Sequence, residues 1–288
     1  MNKIYEKFYD FLEIGDDFPT VIMGVLNLSP ESFYKGSIYE ELDDLEKATM
    51  RMITNGAKIL DLGARSTAPW SEKISIDEEL KRFTPAMNKV CEIIPREIII
   101  SVDTQYQKVA ERALEISKQF NKRIIINDVS CLKTDPKLQE FIIKNDLPII
   151  LMASKKVPGD LLTIEEIIKG FKQIIKSLKL KGYNENKIIL DPGIGHWVEK
   201  KTYIYDLKII NNLSKLKILE KPILVAISRK SFIASTLNRS DPEERLSGTL
   251  SATSIAVYNG AHIIRTHDID SNLLDMINMA RILRNYKS

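Results

Sequence analysis

The stretch Ile98-Ile99-Ile100-Ser101-Val102-Asp103-Thr104 decides the fold. Its apolar residues follow one another without the polar alternation of a strand that faces solvent on one side, which is typical of a parallel strand covered on both faces. The run ends in aspartate and threonine, and residues 105–119 then show the helical spacing of apolar side chains. We therefore interpret this segment as one strand and one helix of a parallel α/β sheet.

Seven further runs of the same kind recur along the chain, and each precedes a stretch with helical spacing. The runs cover residues 20–27, 57–63, 123–129, 147–153, 187–193, 222–228 and 261–267. Helices are predicted over 39–55, 77–94 with a bend at Pro85, 105–119, 136–144, 164–181, 203–216, 242–258 and 272–286. Eight βα repeats predict a single (β/α)8 TIM barrel over residues 19–288, after a short N-terminal extension of residues 1–18. The alternative, an open doubly wound sheet, would require a glycine-rich nucleotide turn after an early strand, and the sequence has none.

Composition excludes several classes of protein. The 288 residues are 44% hydrophobic and 28% charged, which excludes a disordered or fibrous chain. The 42 basic and 39 acidic residues give a net charge of +3 without a long basic run, so we expect no nucleic-acid partner. No apolar run reaches the roughly 18 residues of a membrane helix, and Cys91 and Cys131 lack disulfide or metal spacing. We expect a cytoplasmic protein with no membrane partner.

Nearly every predicted strand ends in polar residues, and in a barrel these ends meet at one face. Asp, Asn, Ser and Thr are also preferred helix caps, so any one of them alone is equally well explained as a cap. Capping does not require a lysine, yet Lys230 directly follows the seventh strand. We therefore expect a convergent polar pocket. The strand ends that form it carry Asn27, Asp61, Asp103, Asn127, Met152-Ala153-Ser154, Asp191, Lys230 and Arg265.

The last two loops predict an anion site, because phosphate sites recur after strands seven and eight of such barrels. The alternative is a surface set of ion pairs with Asp268 or Asp270. Asn27 faces the same mouth, where its carbonyl oxygen suits a Mg²⁺ ion whose other ligands are phosphate and water. The residues of the proposed anion site are Arg229, Lys230, Arg265 and His267.

The run Met23-Gly24-Val25-Leu26-Asn27-Leu28-Ser29-Pro30-Glu31-Ser32-Phe33 resembles the opening signature of dihydropteroate synthases, a family of pterin-binding α/β barrels. Further segments resemble later signatures of the same family in chain order. They are residues 61–69, 101–104, 127–130, 190–195, 228–233, 244–249 and 265–268. The resemblance therefore covers nearly the whole predicted barrel.

The resemblance implies a transferase that condenses 6-hydroxymethyl-7,8-dihydropterin diphosphate with p-aminobenzoate or a related arylamine and releases diphosphate. It implies a pterin pocket of Asp103, Asn127, Asp191 and Lys230, and a diphosphate site of Asn27, Arg265 and His267 with Mg²⁺, for which Asn27 is the metal ligand. Thr67 of the second loop joins the substrate-binding set. Asp103, Lys230, Arg265 and His267 are the predicted catalytic residues, and the family suggests a homodimer.

Three loops depart from the family pattern. The second loop has Ala68 where a diphosphate-binding arginine is expected, and Arg65 is the candidate replacement. The fifth lacks the usual Met-His-Met, and the sixth continues Gly195-His196-Trp197 in place of Gly-Phe-Gly. Trp70 and Trp197 on these loops suit stacking on an arylamine, or ordinary loop packing. With Lys155, Lys156, Lys200 and Lys201 nearby, we hypothesise a larger, phosphorylated acceptor such as the ribofuranosyl arylamine phosphate of methanopterin-type routes, in an archaeal-type variant.

Two other functions remain open at this stage. A methyltransferase domain that presents methyl-tetrahydropterin to a corrinoid partner shares the carboxylate and Asn pocket, but it has no use for Lys230, Arg265 and His267 as a diphosphate site. A pterin-binding protein that kept the pocket and lost turnover is the third reading, and it is retained because the expected arginine at position 68 is missing. Formation of a coupled product separates these readings from a synthase.

Overall fold

The computed structural model describes residues 3–29, 39, 41–66, 71 and 73–286 of the chain. Eight parallel strands form the predicted barrel, and each lies within one of the eight apolar runs. They are β3 (Val21–Asn27), β4 (Ile59–Gly63), β5 (Ile99–Asp103), β6 (Arg123–Asp128), β7 (Ile149–Met152), β8 (Ile188–Asp191), β9 (Leu224–Ala226) and β10 (Ile263–Thr266). The prediction of a (β/α)8 barrel is confirmed.

The barrel closes through the register of its strands. The strand order is β8-β7-β6-β5-β4-β3-β10-β9, so β3 pairs with both β4 and β10. A single parallel bridge between Leu190 and Ile223 joins the two ends of this order. All eight strands therefore point their carboxyl ends to one face, which brings the polar strand ends together.

A β-hairpin within the predicted N-terminal extension covers the opposite face. Its strands β1 (Tyr5–Phe8) and β2 (Leu12–Gly15) pair antiparallel. Phe8, Leu12 and Ile14 are buried with the inward side chains of the barrel strands, among them Ile99 and Ile125. The hairpin therefore packs its apolar side chains against those inside the barrel, at the end opposite the polar strand ends.

Helices surround the barrel and bury their apolar faces on the outer side of the strands. Their order follows the prediction, with three differences. The predicted helix 242–258 begins as a 3₁₀ segment, Pro242–Arg245, and is α-helical only from Leu246. The predicted helix 203–216 ends at Asn211 and gives way to a 3₁₀ segment, Leu213–Leu219. A short helix also follows Lys230. The helices are α1 (Leu42–Thr54), α2 (Ile76–Ile93), α3 (Gln107–Gln119), α4 (Pro136–Asn145), α5 (Ile164–Leu180), α6 (Tyr203–Asn211), α7 (Ser231–Leu237), α8 (Leu246–Tyr258) and α9 (Ser271–Asn285).

None of the helices in these described ranges combines the length and the apolarity that crossing a bilayer requires.

Candidate active site

A cavity of about 390 Å³ opens at the carboxyl ends of the strands. Seven of the eight residues predicted to bind substrate line it: Asn27, Asp103, Asn127, Asp191, Lys230, Arg265 and His267. The eighth, Thr67, lies outside the described residues, as do Trp70 and residues 30–33 of the opening signature. The structure thus brings the predicted set together, while the individual roles stay predictions.

Arg265 joins two carboxylates across the floor of this cavity. Its Nε donates to Asp61 Oδ2 at 2.5 Å, and one Nη donates to Asp103 Oδ2 at 3.3 Å. The other oxygen of Asp103, Oδ1, is buried and has no hydrogen-bond partner in the described part of the chain. An unsatisfied buried oxygen costs free energy, so this atom is suited to form a hydrogen bond with a ligand.

The pKa of Asp103 is raised to about 8, chiefly by burial and next by the nearby carboxylate of Asp61, against the opposing pull of Arg265. The Arg265 guanidinium lies between two carboxylates, so a proton on Asp103 leaves the set of three side chains with no net charge. Unliganded protein at neutral pH therefore presents Asp103 mainly as the neutral acid.

This shift predicts a pH dependence of stability. The pKa of Asp103 is higher in the folded than in the unfolded chain, so its contribution to stability is complete below about pH 4 and is lost as the pH rises through 8. Asp103→Asn mimics the neutral acid, and we expect it to gain on the order of 1 kcal/mol or more relative to wild type between pH 6 and pH 9. Urea unfolding of both proteins across this range tests it. Parallel stability profiles would contradict the prediction.

Asp191 and Lys230 form the opposite wall. Asp191 Oδ1 accepts the backbone N–H of Gly193 at 2.7 Å, while Lys230 Nζ donates to the carbonyl of Ile194 at 2.6 Å. Burial raises the pKa of Asp191 and lowers that of Lys230 to about 8, and each charge partly offsets the shift of the other. Gly195 has φ of +130°, and a Cβ there would lie 3.3 Å from the Lys230 side chain. The glycine lets the loop approach the ammonium group.

His267 lies at the end of β10 and contacts Ser228, with 3.1 Å between Nδ1 and Oγ. Burial, and next the positive charges of Arg265, Arg229 and Lys230, together lower its pKa to about 3. The ring is therefore neutral at physiological pH in the unliganded protein. It offers a hydrogen bond to an anion, whereas Arg265 and Lys230 supply positive charge.

Arg229 was predicted to bind an anion, with an ion pair to Asp268 or Asp270 as the alternative, and the structure shows the ion pair. Its Nε and one Nη donate to the two carboxylate oxygens of Asp268 at 2.8 and 3.0 Å, and its other Nη donates to the carbonyl of Pro242. Among the residues that line the cavity, Arg229 is absent. The expectation that it forms part of the anion site is therefore wrong, because its guanidinium fastens the seventh loop to the eighth.

Arg245, by contrast, does line the cavity, although the strand ends gave no signal for it. Its guanidinium donates to the carbonyls of Arg229, Arg239 and Ser240. By binding three carbonyls of the seventh loop, the buried Arg245 side chain holds this loop in a compact shape.

Arg65, the candidate replacement for the missing arginine, lines the cavity on the second loop. Its Nε pairs with the buried carboxylate of Glu79 at 2.6 Å, and its guanidinium lies 4.8 Å from the ring centroid of Tyr106. Glu79 in turn accepts the hydroxyl of Thr104. Arg65 is thus held at the cavity wall with its charge already balanced, which reduces its pull on an anion.

Lys201, counted among the cations for a phosphorylated acceptor, points into the protein. Its side chain is 0% exposed, and its Nζ lies 3.3 Å from the equally buried Asp206 and donates to the carbonyl of Gly193. Asp206 also accepts the N–H of Gly195 at 2.9 Å. That assignment of Lys201 is wrong: the pair holds the loop that carries Asp191 and faces Lys230.

Trp197 forms one side of the cavity. The Lys230 ammonium lies 5.5 Å from its ring centroid, and a Cβ on Gly159 of the fifth loop would collide with its indole. The fifth loop is itself built around Asp160, whose carboxylate accepts backbone N–H groups from Lys155 and Lys156 at 2.6 and 2.9 Å. Two of the altered loops therefore meet through Trp197 beside Lys230.

Comparison with known proteins gives a consistent result. A family model described as Pterin binding enzyme matches residues 23–267. A dihydropteroate synthase of Clostridium beijerinckii is 37% identical over 254 residues, which are 88% of this chain and 90% of the relative. The Coxiella burnetii dihydropteroate synthase in complex with pteroic acid superimposes with a TM-score of 0.84 at 29% identity, over 99% of this chain and 100% of that one. The Xanthomonas albilineans enzyme with 4-aminobenzoic acid gives 0.80 at 25% identity, over 96% of both chains. The chain belongs to the dihydropteroate synthase family of pterin binding enzymes.

Proposed function

We propose that this chain is a dihydropteroate synthase that joins 6-hydroxymethyl-7,8-dihydropterin diphosphate to p-aminobenzoate and releases diphosphate. The observation that carries the proposal is the single cavity that holds Asp103, Asn127 and Asp191 beside Arg265 and His267. Relatives that bear this name match nearly the whole chain. The arrangement pairs a set of neutral and acidic hydrogen-bonding groups with a basic set, as a polar ring joined to a diphosphate requires.

The two sets divide the chemistry. A pterin edge carries amide and amino donors and ring-nitrogen acceptors, which carboxylates, an Asn amide and an ammonium can read. Negative charge grows on the departing diphosphate as the carbon–oxygen bond breaks and the arylamine nitrogen attacks the methylene carbon, and the nitrogen then releases one proton to solvent. Arg265 supplies a positive charge and His267 a hydrogen bond to that developing charge. The arylamine is neutral at physiological pH, so positioning matters more than a strong base.

Asn27 is proposed as the protein ligand of a Mg²⁺ ion that accompanies the diphosphate. Its side chain lines the same cavity as Arg265 and His267. No group of three or more His, Cys, Asp or Glu side chains within the described ranges is arranged to hold a metal ion. A ligand set of one amide oxygen, phosphate oxygens and water matches the usual coordination of Mg²⁺, which keeps several waters and few protein ligands. Bound there, the ion would neutralise charge on the leaving group.

The acceptor is proposed to be p-aminobenzoate. A solved relative, the Xanthomonas albilineans enzyme, is described with 4-aminobenzoic acid. The buried Lys201 removes one of the four cations that motivated a phosphorylated, methanopterin-type acceptor. The exposed Lys155, Lys156 and Lys200 keep that acceptor as the second candidate.

Product formation decides between these readings. The purified chain is incubated with the pterin diphosphate, Mg²⁺ and either p-aminobenzoate or its ribofuranosyl phosphate derivative, and the coupled pterin is detected by mass spectrometry with diphosphate release. Coupling with p-aminobenzoate supports the proposal, and coupling only with the phosphorylated amine supports the methanopterin-type route. Binding of the pterin without coupling to either amine would favour the binding-protein or methyltransferase readings. Omission of Mg²⁺ tests its requirement.

Diphosphate binding is expected to raise the pKa of His267. Burial and the neighbouring cations hold this pKa near 3, and a bound polyanion opposes those cations and favours the imidazolium. The chain has three histidines, so ring signals can be assigned by substitution and followed by NMR between pH 5 and 8 with and without inorganic diphosphate. His262, whose ring contacts Asp16 at the opposite end of the barrel, is the internal control. A His267 signal that does not respond would contradict its place in the diphosphate site.

A homodimer is proposed through helices α8 and α9, which pack together on one side of the barrel. Helix α8 has no charged residue and carries only apolar side chains, hydroxyl side chains and one glycine, whereas a helix that faces water normally has a charged or strongly polar face. Ile255 on α8 is nevertheless 51% exposed, and Met279 and Leu283 on α9 are 59% and 52% exposed. A second copy of the chain would cover them. Sedimentation equilibrium at micromolar concentration tests this, and the mass of a single chain would contradict it. A cytoplasmic location stays a prediction.

A further inference from the structure

Asp61 lies beneath the cavity and does not line it. Its side chain is buried on β4, yet three side chains donate to its two oxygens. Ser101 Oγ donates at 2.6 Å, Asn127 Nδ2 lies 3.2 and 3.3 Å from the two oxygens, and Arg265 Nε donates at 2.5 Å. A buried carboxylate with this number of donors is fully satisfied without any ligand.

The first consequence concerns the amide of Asn127. Because Asp61 can only accept, the amide nitrogen of Asn127 must face it. Asn127 also lines the cavity, so its Oδ1 becomes the atom presented to a ligand. The sequence shows an Asn at this strand end, but the buried carboxylate decides that the cavity meets an acceptor there.

The second consequence concerns Arg265. Its Nε is held by Asp61 and one Nη by Asp103, so the plane of the guanidinium is fixed across two strands, β4 and β5. An arginine that is already oriented loses less side-chain entropy when it binds an anion or stacks on a ring. One buried residue thus orients two groups of the cavity.

We infer that Asp61 is a positioning residue for the pterin substrate, which it never touches: it fixes the hydrogen-bonding polarity of Asn127 and the plane of Arg265. The inference rests on the proposed function, because it names the substrate whose recognition depends on this contact.

Asp61→Asn tests it. An Asn at this position offers one oxygen and one NH₂ group where three donors converge, so either Asn127 or Arg265 loses its acceptor. We expect the Kd of 6-hydroxymethyl-7,8-dihydropterin, measured by calorimetry, to rise at least tenfold, the usual scale of a lost hydrogen bond to a charged group. The KM of p-aminobenzoate should change less than about threefold. General damage to the barrel would instead raise both the Kd of the pterin and the KM of p-aminobenzoate.

A matched control is available at the other end of the barrel. Glu6 and Lys221 form a second largely buried ion pair, 3.0 Å apart, on the hairpin side. Glu6→Gln also exchanges a buried carboxylate for an amide, and we expect it to lower the melting temperature without changing the Kd of the pterin. A similar rise of Kd in Glu6→Gln and Asp61→Asn would overturn the inference, because both would then report stability alone.

Ser101→Ala keeps the test informative if Asp61→Asn does not fold. It removes one donor to Asp61, leaves the charge pair intact and lies outside the cavity lining. The expected rise of the pterin Kd is about threefold. If wild type binds the pterin and every variant of Asp61 or Ser101 that folds binds it equally well, the inference fails while the proposed function stands. A wild type that binds no pterin would overturn the proposed function, and the inference with it.

Discussion

Replacing Lys230 by methionine is expected to lower kcat/KM for the pterin diphosphate by on the order of 10² to 10³. The ammonium group lies near Asp191 in the partly buried wall of the cavity and donates to the carbonyl of Ile194. Methionine fills much of the same volume but leaves the Asp191 carboxylate without its nearest cation. The Ile194 carbonyl also loses a hydrogen bond from a charged donor, which costs about 1.5–3 kcal/mol, and the pterin loses the ammonium group itself; each 1.4 kcal/mol is tenfold.

The matched control is Lys156→Met on the fifth loop. Lys156 is an exposed lysine whose backbone N–H, and not its ammonium group, is held by Asp160. We expect this variant to react with p-aminobenzoate at the wild-type rate. Steady-state kinetics of both variants, with melting temperatures recorded in parallel, separate lost recognition from lost folding. If Lys230→Met kept a kcat/KM close to that of wild type, Lys230 would have no role in recognising the pterin diphosphate.

A pH profile adds a second check on Lys230. Burial lowers its pKa to about 8, so the ammonium form declines as the pH rises through 8 in the unliganded protein. Binding of the pterin to wild type should therefore weaken above this pH, where Asp103 also ionises. Lys230→Met should lose the part of this dependence that belongs to the ammonium group.

The barrel and the membership of the cavity could be predicted from the sequence because both follow from local patterns. Runs such as 98–104 and 123–129 are apolar without alternation, which indicates strands covered on both faces, and their last residues necessarily meet at one face of a closed barrel. Alternation along β6 then separates neighbours: Asn127 enters the cavity, while Asp128 turns away and accepts the N–H of Ser130 at 2.8 Å.

What could not be predicted depends on contacts that only the folded chain decides. Asp61 was one polar strand end among several, and its importance comes from Arg265, 204 positions away. Arg229 and Lys201 were assigned to anion binding because cations near a phosphate site usually face it. Asp268 was the alternative partner for Arg229 and Asp206 lies five residues beyond Lys201, but the sequence does not show which way either cation points. A lysine is almost never fully buried, so composition favoured the wrong interpretation of Lys201.

Lys201→Met is expected to lower the free energy of unfolding by about 3–5 kcal/mol, the cost of leaving one member of a buried ion pair without its partner. Both side chains are 0% exposed and lie 3.3 Å apart. The substitution also removes the donor to the Gly193 carbonyl. Among the described residues, the N–H of Gly195 is then the hydrogen-bond donor that the Asp206 carboxylate keeps. The loop between Asp191 and Trp197 should loosen, so pterin affinity should fall as well.

Lys200→Met is the matched control, because the neighbouring lysine is exposed and we expect its loss to change stability by less than about 0.5 kcal/mol. The double variant Lys201→Met with Asp206→Leu removes both charges, and it should recover much of the lost stability, since apolar replacements of buried ion pairs are often neutral or better. It should not recover pterin affinity, because neither new side chain can hold Gly193 or Gly195. Urea unfolding and calorimetric titration measure the two quantities separately. If Lys201→Met unfolded like Lys200→Met, the pair would not be the element that holds this wall of the cavity.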